Sequence, residues 1–246
     1  MALEQWFLWF MAYSFIGWAY ESILCSIVGK RLVNRGFLNG PVCPIYGTGA
    51  VAVVWALGSF RDQVAVLFLL SAFLTTTLEY LTSWVMEKLF HARWWDYSGR
   101  LLNIHGRVCL LGFTAFGTMA VLVVRYVQPW LAGLTGRLSA TAVHVLCVLL
   151  AAALAADIAM TLTTVLGLDK LLRRFREALS AEMVDFAWPK GLHRFQIKRL
   201  SLAFPKLRST RYPVQWQKMR EHLNAKREQF NAKREQLTNK LEEMIK

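Results

Sequence analysis

Paired cysteines and the common catalytic motifs are missing from this sequence. Its four cysteines, Cys25, Cys43, Cys109 and Cys147, stand singly, without a CxxC pair or the His/Cys spacing of a zinc site. We therefore predict free thiols, no bound metal and no disulfide framework. The chain also has no GxxxxGKS/T phosphate loop, no GxSxG and no HExxH, so no motif supports an enzyme or a bound cofactor.

Charged residues are scarce as well, and they are unevenly placed. They make up 18% of the chain, against 55% hydrophobic residues, whereas about a quarter of a typical soluble domain is charged. Lys and Arg exceed Asp and Glu by 10 to 7 up to Leu168 and by 19 to 9 after it. The apolar body predicts a membrane protein. The basic tail predicts either contact with anionic lipids, in preference to nucleic acid, or a charge that only fixes topology.

Five apolar runs predict an all-α, polytopic membrane bundle over residues 1–168. Four of them are long enough to cross a bilayer of about 30 Å, and the second is short. The first has no positive n-region and no small-residue cleavage site, so we interpret it as a retained span. The predicted spans are Leu3–Val28, Tyr46–Phe60, Gln63–Phe90, Val108–Val127 and Leu138–Leu168.

The placement of Lys and Arg predicts the orientation of these spans. One side of the bundle receives the basic loops after spans 1 and 3 and the basic tail, whereas the other receives only Arg61, Arg125 and Arg137. The positive-inside rule makes the first side cytoplasmic. We predict a multi-pass protein of the cell membrane, with its N-terminus outside and its C-terminus in the cytoplasm.

The segment NRGFLNGPVCPIYGTG, residues 34–49, contains four glycines and two prolines between apolar runs. Because both residue types break helices, we predict a re-entrant loop or broken helix leading into the short second span. Non-helical backbone at membrane depth has to be buried in protein or line a wet cavity. We therefore predict that this segment walls a polar cavity in the cytoplasmic half of the bundle.

Three acidic residues, Glu21, Glu79 and Asp157, lie inside predicted spans. Ionisable groups in that position are costly and indicate function. Measured from the cytoplasmic ends of their helices, they lie at a similar depth of about 10–17 Å. Further polar residues share their helix faces, so we expect these faces to meet. The alternative is that each carboxyl is neutral or pairs with an arginine and serves only packing.

The loop HARWWDYSGRLLNIHGR, residues 91–107, adds polar residues on the same side. Its aromatic residues are typical of an interfacial belt, while an arginine there could hold a phosphate and a histidine could titrate near neutral pH. No residue of the sequence is indicated as catalytic. The candidate ligand-binding set is Glu21, Asn34, Arg35, Asn39, Tyr46, Glu79, Asp96, Tyr97, Asn103, His105, Arg107 and Asp157.

Two further regions follow the bundle. Residues 169–213 are predicted to be a basic juxtamembrane linker, and residues 214–246 a charged C-terminal helix. A seven-residue repeat, LNAKREQ and then FNAKREQ, begins at Leu223, but lysine holds the second apolar position that a coiled coil needs. A solvated helix, a dimerising coil and an amphipathic helix on the inner leaflet all fit this pattern.

Four motifs resemble the CmpB family, whose bacterial members are described as permeases of type IV ABC transporters. They are YSFIGWAYES (13–22), NRGFLNGPVCPIYGTG (34–49), LEYLTSWVMEKLF (78–90) and RWWDYSGRLLNIHGRVCL (93–110). The resemblance covers about residues 7–168 and implies a permease component; the tail lies outside it. The positions that match the motifs are Glu21, Asn34, Arg35, Gly36, Gly40, Pro41, Pro44, Tyr46, Gly47, Glu79, Glu87, Trp95, Asp96, Tyr97, Asn103 and Gly106.

Three functions are compatible with these features. A transporter permease accounts for the broken helix and the buried acids. It would need a separate ATP-binding subunit, and because five spans are few for a transport path we expect a homodimer. The alternatives are a membrane-embedded protein that binds or modifies a lipid headgroup, and a non-catalytic membrane scaffold.

Overall fold

A computed structural model describes residues 2–180 and 192–221 of the chain. About 75% of it is helical, with almost no sheet, so the prediction of an all-α membrane bundle is confirmed. Four helices are long and apolar enough to span a bilayer, and they are Leu3–Gly29, Val64–Phe90, Leu110–Thr135 and Ala140–Arg174. The predicted second span corresponds to a shorter apolar helix, Pro44–Phe60.

Two long loops, between α1 and α2 and between α3 and α4, interrupt the series of helices. The helices are α1 (Ala2–Gly29), α2 (Pro44–Leu57), α3 (Val64–Phe90), α4 (Leu110–Leu122), α5 (Gln128–Thr135), α6 (Ala140–Ser180) and α7 (Leu192–Ala203). A 3-10 turn, Gly58–Phe60, ends α2, and a π-helical segment, Val123–Val127, joins α4 to α5. Two short strands, β1 (Ala92–Arg93) and β2 (Arg208–Ser209), pair antiparallel.

The chain re-enters the bundle between α1 and α2. After the end of α1 it turns back, and the N–H of Cys43 donates to the carbonyl of Ser14 at 2.9 Å. Ser14 lies fifteen residues before the end of α1, which corresponds to roughly 22 Å along the helix. Helix α2 therefore starts halfway along α1, and we call residues 34–43, which precede it, the re-entrant loop.

Close packing of α1 on α2 depends on glycine. A Cβ built at Gly47 would overlap the hydroxyl of Ser14 and the ring of Phe10, and one at Gly17 would overlap the ring of Tyr46. The pairing therefore places Tyr46 directly against α1.

The fourth spanning helix is longer than predicted. The prediction ended it at Val127, before Pro129, but the helix continues through the π-helical segment and α5 to Thr135. Contacts with α1 hold this extension, because Tyr13 donates to the side chain of Gln128 at 2.5 Å and Trp9 donates to Thr135 at 3.0 Å. The wider π turn absorbs the proline without ending the helix.

The region predicted to be a linker, 169–213, contains regular structure where it is described. Helix α6 continues through it to Ser180, and α7 and β2 follow. These elements and a further helical stretch, 213–221, pack on the end of α6 and on the loop after α3. The shared core contains Trp94, Leu168, Leu172, Leu200, Leu207, Trp216 and Met219. We call residues 192–221 the docked segment; the seven-residue repeat lies outside the described residues.

Replacing Gly47 by valine should destabilise the bundle, because the new side chain would push α2 away from α1. Overpacking of this kind costs about 1–3 kcal/mol. A lower melting temperature in mild detergent would show it. Gly133→Ala is the matched control, since a Cβ there meets nothing within 4 Å and alanine favours a helix. Equal melting temperatures for Gly47→Val and the wild type would contradict the packing.

Candidate functional site

The carboxylate of Asp157 on α6 binds the middle of the re-entrant loop. It accepts from the backbone N–H of Asn39 at 2.9 Å and from that of Gly40 at 2.7 Å. The side-chain amide of Asn39 donates to the same carboxylate at 2.9 Å, and Thr161 adds a hydroxyl donor at 3.3 Å. Both oxygens of Asp157 are thus occupied by donors, although the residue is buried in an apolar helix.

A guanidinium from the docked segment binds the other side of the same loop. Arg199 on α7 donates to three successive carbonyls, those of Gly36 at 2.7 Å, Phe37 at 2.9 Å and Leu38 at 2.8 Å. The loop therefore presents its donors to Asp157 and its acceptors to Arg199. Backbone groups that lack a helix or sheet partner are satisfied by two charges of opposite sign.

Asn34 closes the start of the loop. Its side-chain oxygen accepts from the indole N–H of Trp18 at 2.8 Å and from the backbone of Gly36 at 3.2 Å. Its amide donates to the carbonyl of Asn39 at 2.8 Å. Asn34 therefore joins the start of the loop to its middle and to α1.

Glu21 on α1 lies between two partners. Tyr46 donates its hydroxyl to one carboxylate oxygen at 2.6 Å, and Arg35 approaches the other at 3.4 Å. Arg35 also donates to the carbonyl of Ala203, and its guanidinium lies 4.7 Å from the ring centre of Phe204. The arginine thus connects the interior carboxylate to the docked segment through an ion pair and a cation–π contact.

Glu79 on α3 is only half satisfied. Tyr97 donates its hydroxyl to Oε1 at 3.3 Å. Oε2 is buried and has no hydrogen-bond partner among the described residues. Gly112 on α4 faces this oxygen, since a Cβ there would lie 3.6 Å from it. The pKa of Tyr97 is raised mainly by burial and further by the nearby carboxyls of Glu79 and Glu21. Its hydroxyl therefore stays a neutral donor.

Asp96 and Asn103 shape the second loop. Partial burial works against ionisation of Asp96, but its hydrogen bonds from Ser98 and the nearby arginines outweigh burial and lower its pKa. One of those arginines, Arg208 in β2, lies 3.4 Å from the carboxylate. Asn103 donates to two loop carbonyls and accepts from Gly106, which adopts a positive φ of 66°. These contacts hold the loop and attach the docked segment to it.

Arg107 and His105 lie on the α3 face of that loop. Arg107 forms a salt bridge with Glu87 at 2.9 Å and donates to Ser83 at 3.2 Å. The ring of His105 shares a hydrogen bond with the hydroxyl of Tyr80 at 3.0 Å. Their partners Tyr80, Ser83 and Glu87 are on the same helix as Glu79, but closer to its C-terminal end.

The twelve predicted residues thus fall into three groups. The first group is a polar cluster of Glu21, Tyr46, Glu79 and Tyr97. We call its two acids, Glu21 and Glu79, the inner carboxylate pair. Asn34, Arg35, Asn39 and Asp157 form or hold the re-entrant loop, and Asp96, Asn103, His105 and Arg107 belong to the second loop.

Two residues of this arrangement, Gly112 and Arg199, were missed by the sequence reasoning, and Glu87 was named only among the positions that match the family motifs. Glu87 carries an indicative pattern, because it lies at the end of a spanning helix just before a loop with several arginines. Gly112 and Arg199 have none. A glycine in an apolar run and one arginine among the many in the tail look like their neighbours, and only the tertiary structure distinguishes them.

Comparison with protein families finds one match. The model of ABC_trans_CmpB, described as "Putative ABC-transporter type IV", matches residues 8–162. That range contains the re-entrant loop and the three acids of the spanning helices, Glu21, Glu79 and Asp157, but not the docked segment. No curated protein and no solved structure matches the chain.

Replacing Arg199 by alanine should loosen the re-entrant loop, because three carbonyls lose their donor at once. The native thiol of Cys43, 8% exposed, reports on the loop. In a background whose other three cysteines are alanine, we expect maleimide labelling of Cys43 to become at least about tenfold faster, since each lost buried hydrogen bond costs about 1–3 kcal/mol. Arg174→Ala is the control, because Arg174 is exposed on α6. Equal labelling of the two variants would contradict the role of Arg199 in holding the loop.

Proposed function

Because the chain belongs to the ABC_trans_CmpB family, described as "Putative ABC-transporter type IV", we propose that it is the membrane-spanning permease component of an ABC transporter. The family match extends over more than half of the chain, and four spanning helices agree with a place in the membrane. The sequence contains no phosphate loop, so a separate subunit binds and hydrolyses ATP in this proposal.

The observation that carries the proposed site is the free oxygen of Glu79. A buried carboxylate oxygen without a donor is costly, and a ligand that brings a donor removes the cost. Oε2 of Glu79 is in that state, with the small Gly112 in front of it and Glu21 nearby. We propose that this oxygen receives a proton, a cation, an amine or a hydroxyl during transport.

The remaining predicted residues have supporting roles in this proposal. The oxygens of Asp157 already have donors, so we assign it to holding the re-entrant loop and not to binding a ligand. The loop then forms the wall of a polar cavity next to the inner carboxylate pair. Asp96, Asn103, His105 and Arg107 hold the second loop, which in this proposal lies on the side where an ATP-binding subunit docks.

Assembly and orientation follow from charge and helix number. We propose a homodimer, because four long spans and one short one are few for a complete path. The loop 91–107 and the basic tail lie on the cytoplasmic side of the cell membrane and the N-terminus outside, with the tail held near anionic lipids.

Glu79→Gln should abolish transport-coupled ATP hydrolysis without unfolding the protein, since glutamine keeps the shape but cannot carry a proton or a full charge. The measurement is ATPase activity of the complex purified in mild detergent and reconstituted in liposomes. Glu177→Gln is the matched control, because that carboxyl is exposed at the end of α6. Full activity of Glu79→Gln would remove the site from α3.

The same purification tests the class of protein. A co-purified ATP-hydrolysing subunit whose activity depends on this chain supports the permease. A lipid held in equal amount, and lost in Glu79→Gln, would instead favour a lipid-binding protein. Neither partner, together with functional Glu21→Gln and Glu79→Gln variants, would favour a scaffold.

A further inference from the structure

An arginine in the turn between α2 and α3 binds the π-helical segment at the end of the bundle opposite the docked segment. The guanidinium of Arg61 donates to the backbone carbonyl of Arg125 at 3.2 Å. In an α-helix this carbonyl would accept from the N–H of residue 129, but that residue is proline and has no N–H. The hydrogen bond therefore places the guanidinium of Arg61 next to the π-helical segment that contains Arg125.

The two arginines are not neutralised by acidic partners. Within residues 2–180 and 192–221, neither guanidinium forms a salt bridge. The neighbouring Asp62 is exposed and is paired with neither arginine in that part of the chain. The guanidinium of Arg61 and the backbone of Arg125 thus lie at one place on the bundle, and no carboxylate of the described residues holds either arginine.

An apolar groove of about 550 Å³ is lined by residues that are near these arginines in the sequence. It runs between α3 and α4, and its lining includes Val64, Ala65, Leu69, Thr118, Val121 and Leu122. Arg125 follows Val121 and Leu122 by three to four residues, and Arg61 precedes Val64 by three residues. The backbone of both arginines therefore lies near one end of the groove.

We infer that this groove is a binding site for an anionic phospholipid. The phosphate lies between Arg61 and Arg125, and one acyl chain lies in the groove between α3 and α4. The combination of a cationic pair with an adjoining apolar groove matches both parts of such a lipid, and guanidinium groups bind phosphate oxygens well. A second copy of the chain fits less well, because a two-fold contact would bring four uncompensated arginines together.

The site is distinct from the inner carboxylate pair and from the basic tail, so it does not depend on the proposed transport function. Its lipid is selected by headgroup charge, while the groove only requires an acyl chain.

Native mass spectrometry of the full-length protein in mild detergent tests the inference. The protein is mixed with equal amounts of phosphatidylglycerol and phosphatidylcholine that carry the same acyl chains. We expect wild-type protein to retain phosphatidylglycerol, and Arg61→Gln/Arg125→Gln to retain about tenfold less of it. Arg137→Gln is the control, since this exposed arginine lies in the next turn on the same side of the bundle.

Two more variants separate the parts of the site. Ala65→Trp fills the groove and leaves both charges, so it should also reduce retention. Pro129→Ala restores the N–H that competes for the carbonyl of Arg125 and should weaken binding by releasing Arg61. Equal retention of the two lipids by the wild type, or equal retention by the double variant and Arg137→Gln, would overturn the inference.

Discussion

The structure depends on how the backbone of the re-entrant loop is satisfied. This loop has neither helix nor sheet partners, and inside a membrane protein water cannot replace them. Asp157 on α6 binds its N–H groups, and Arg199 on α7 binds its carbonyls. Both helices lie far from the loop in the sequence. Because the loop is fixed, α2 starts halfway along α1, and Tyr46 reaches Glu21. The interior cluster is thus a consequence of the two charges that hold the loop.

The three acids of the spanning helices, which the sequence predicts at a similar depth, have different partners in the structure. Asp157 has a donor on each oxygen, Glu21 has a tyrosine and an arginine, and Glu79 has one tyrosine and a free oxygen. A carboxylate that is fully hydrogen-bonded holds structure, whereas one with a free oxygen has capacity for a ligand. The difference lies in partners from the loops, which helix periodicity does not contain.

The sequence predicted those features whose physical cost is local. Glycine and proline in residues 34–49, and single acids within apolar runs, are unfavourable in a membrane unless they have a role. The first pattern indicated the broken helix, and the second indicated the polar residues. The passage of a helix through Pro129 and the packing of residues 192–221 could not be predicted in this way. The first depends on contacts between α1 and α5, and the second on apolar residues such as Leu200 and Trp216, scattered in a basic stretch.

The bond from Arg199 to the loop carbonyls also sets an order of events during synthesis. The carbonyls of residues 36–38 precede their donor by 161–163 residues. At translation rates of about 5–20 residues per second, the ribosome needs roughly 8–32 s to make the chain between them. The N-terminal helices are therefore made before the donor of these carbonyls, and the loop can reach its final conformation only after Arg199 has emerged from the ribosome.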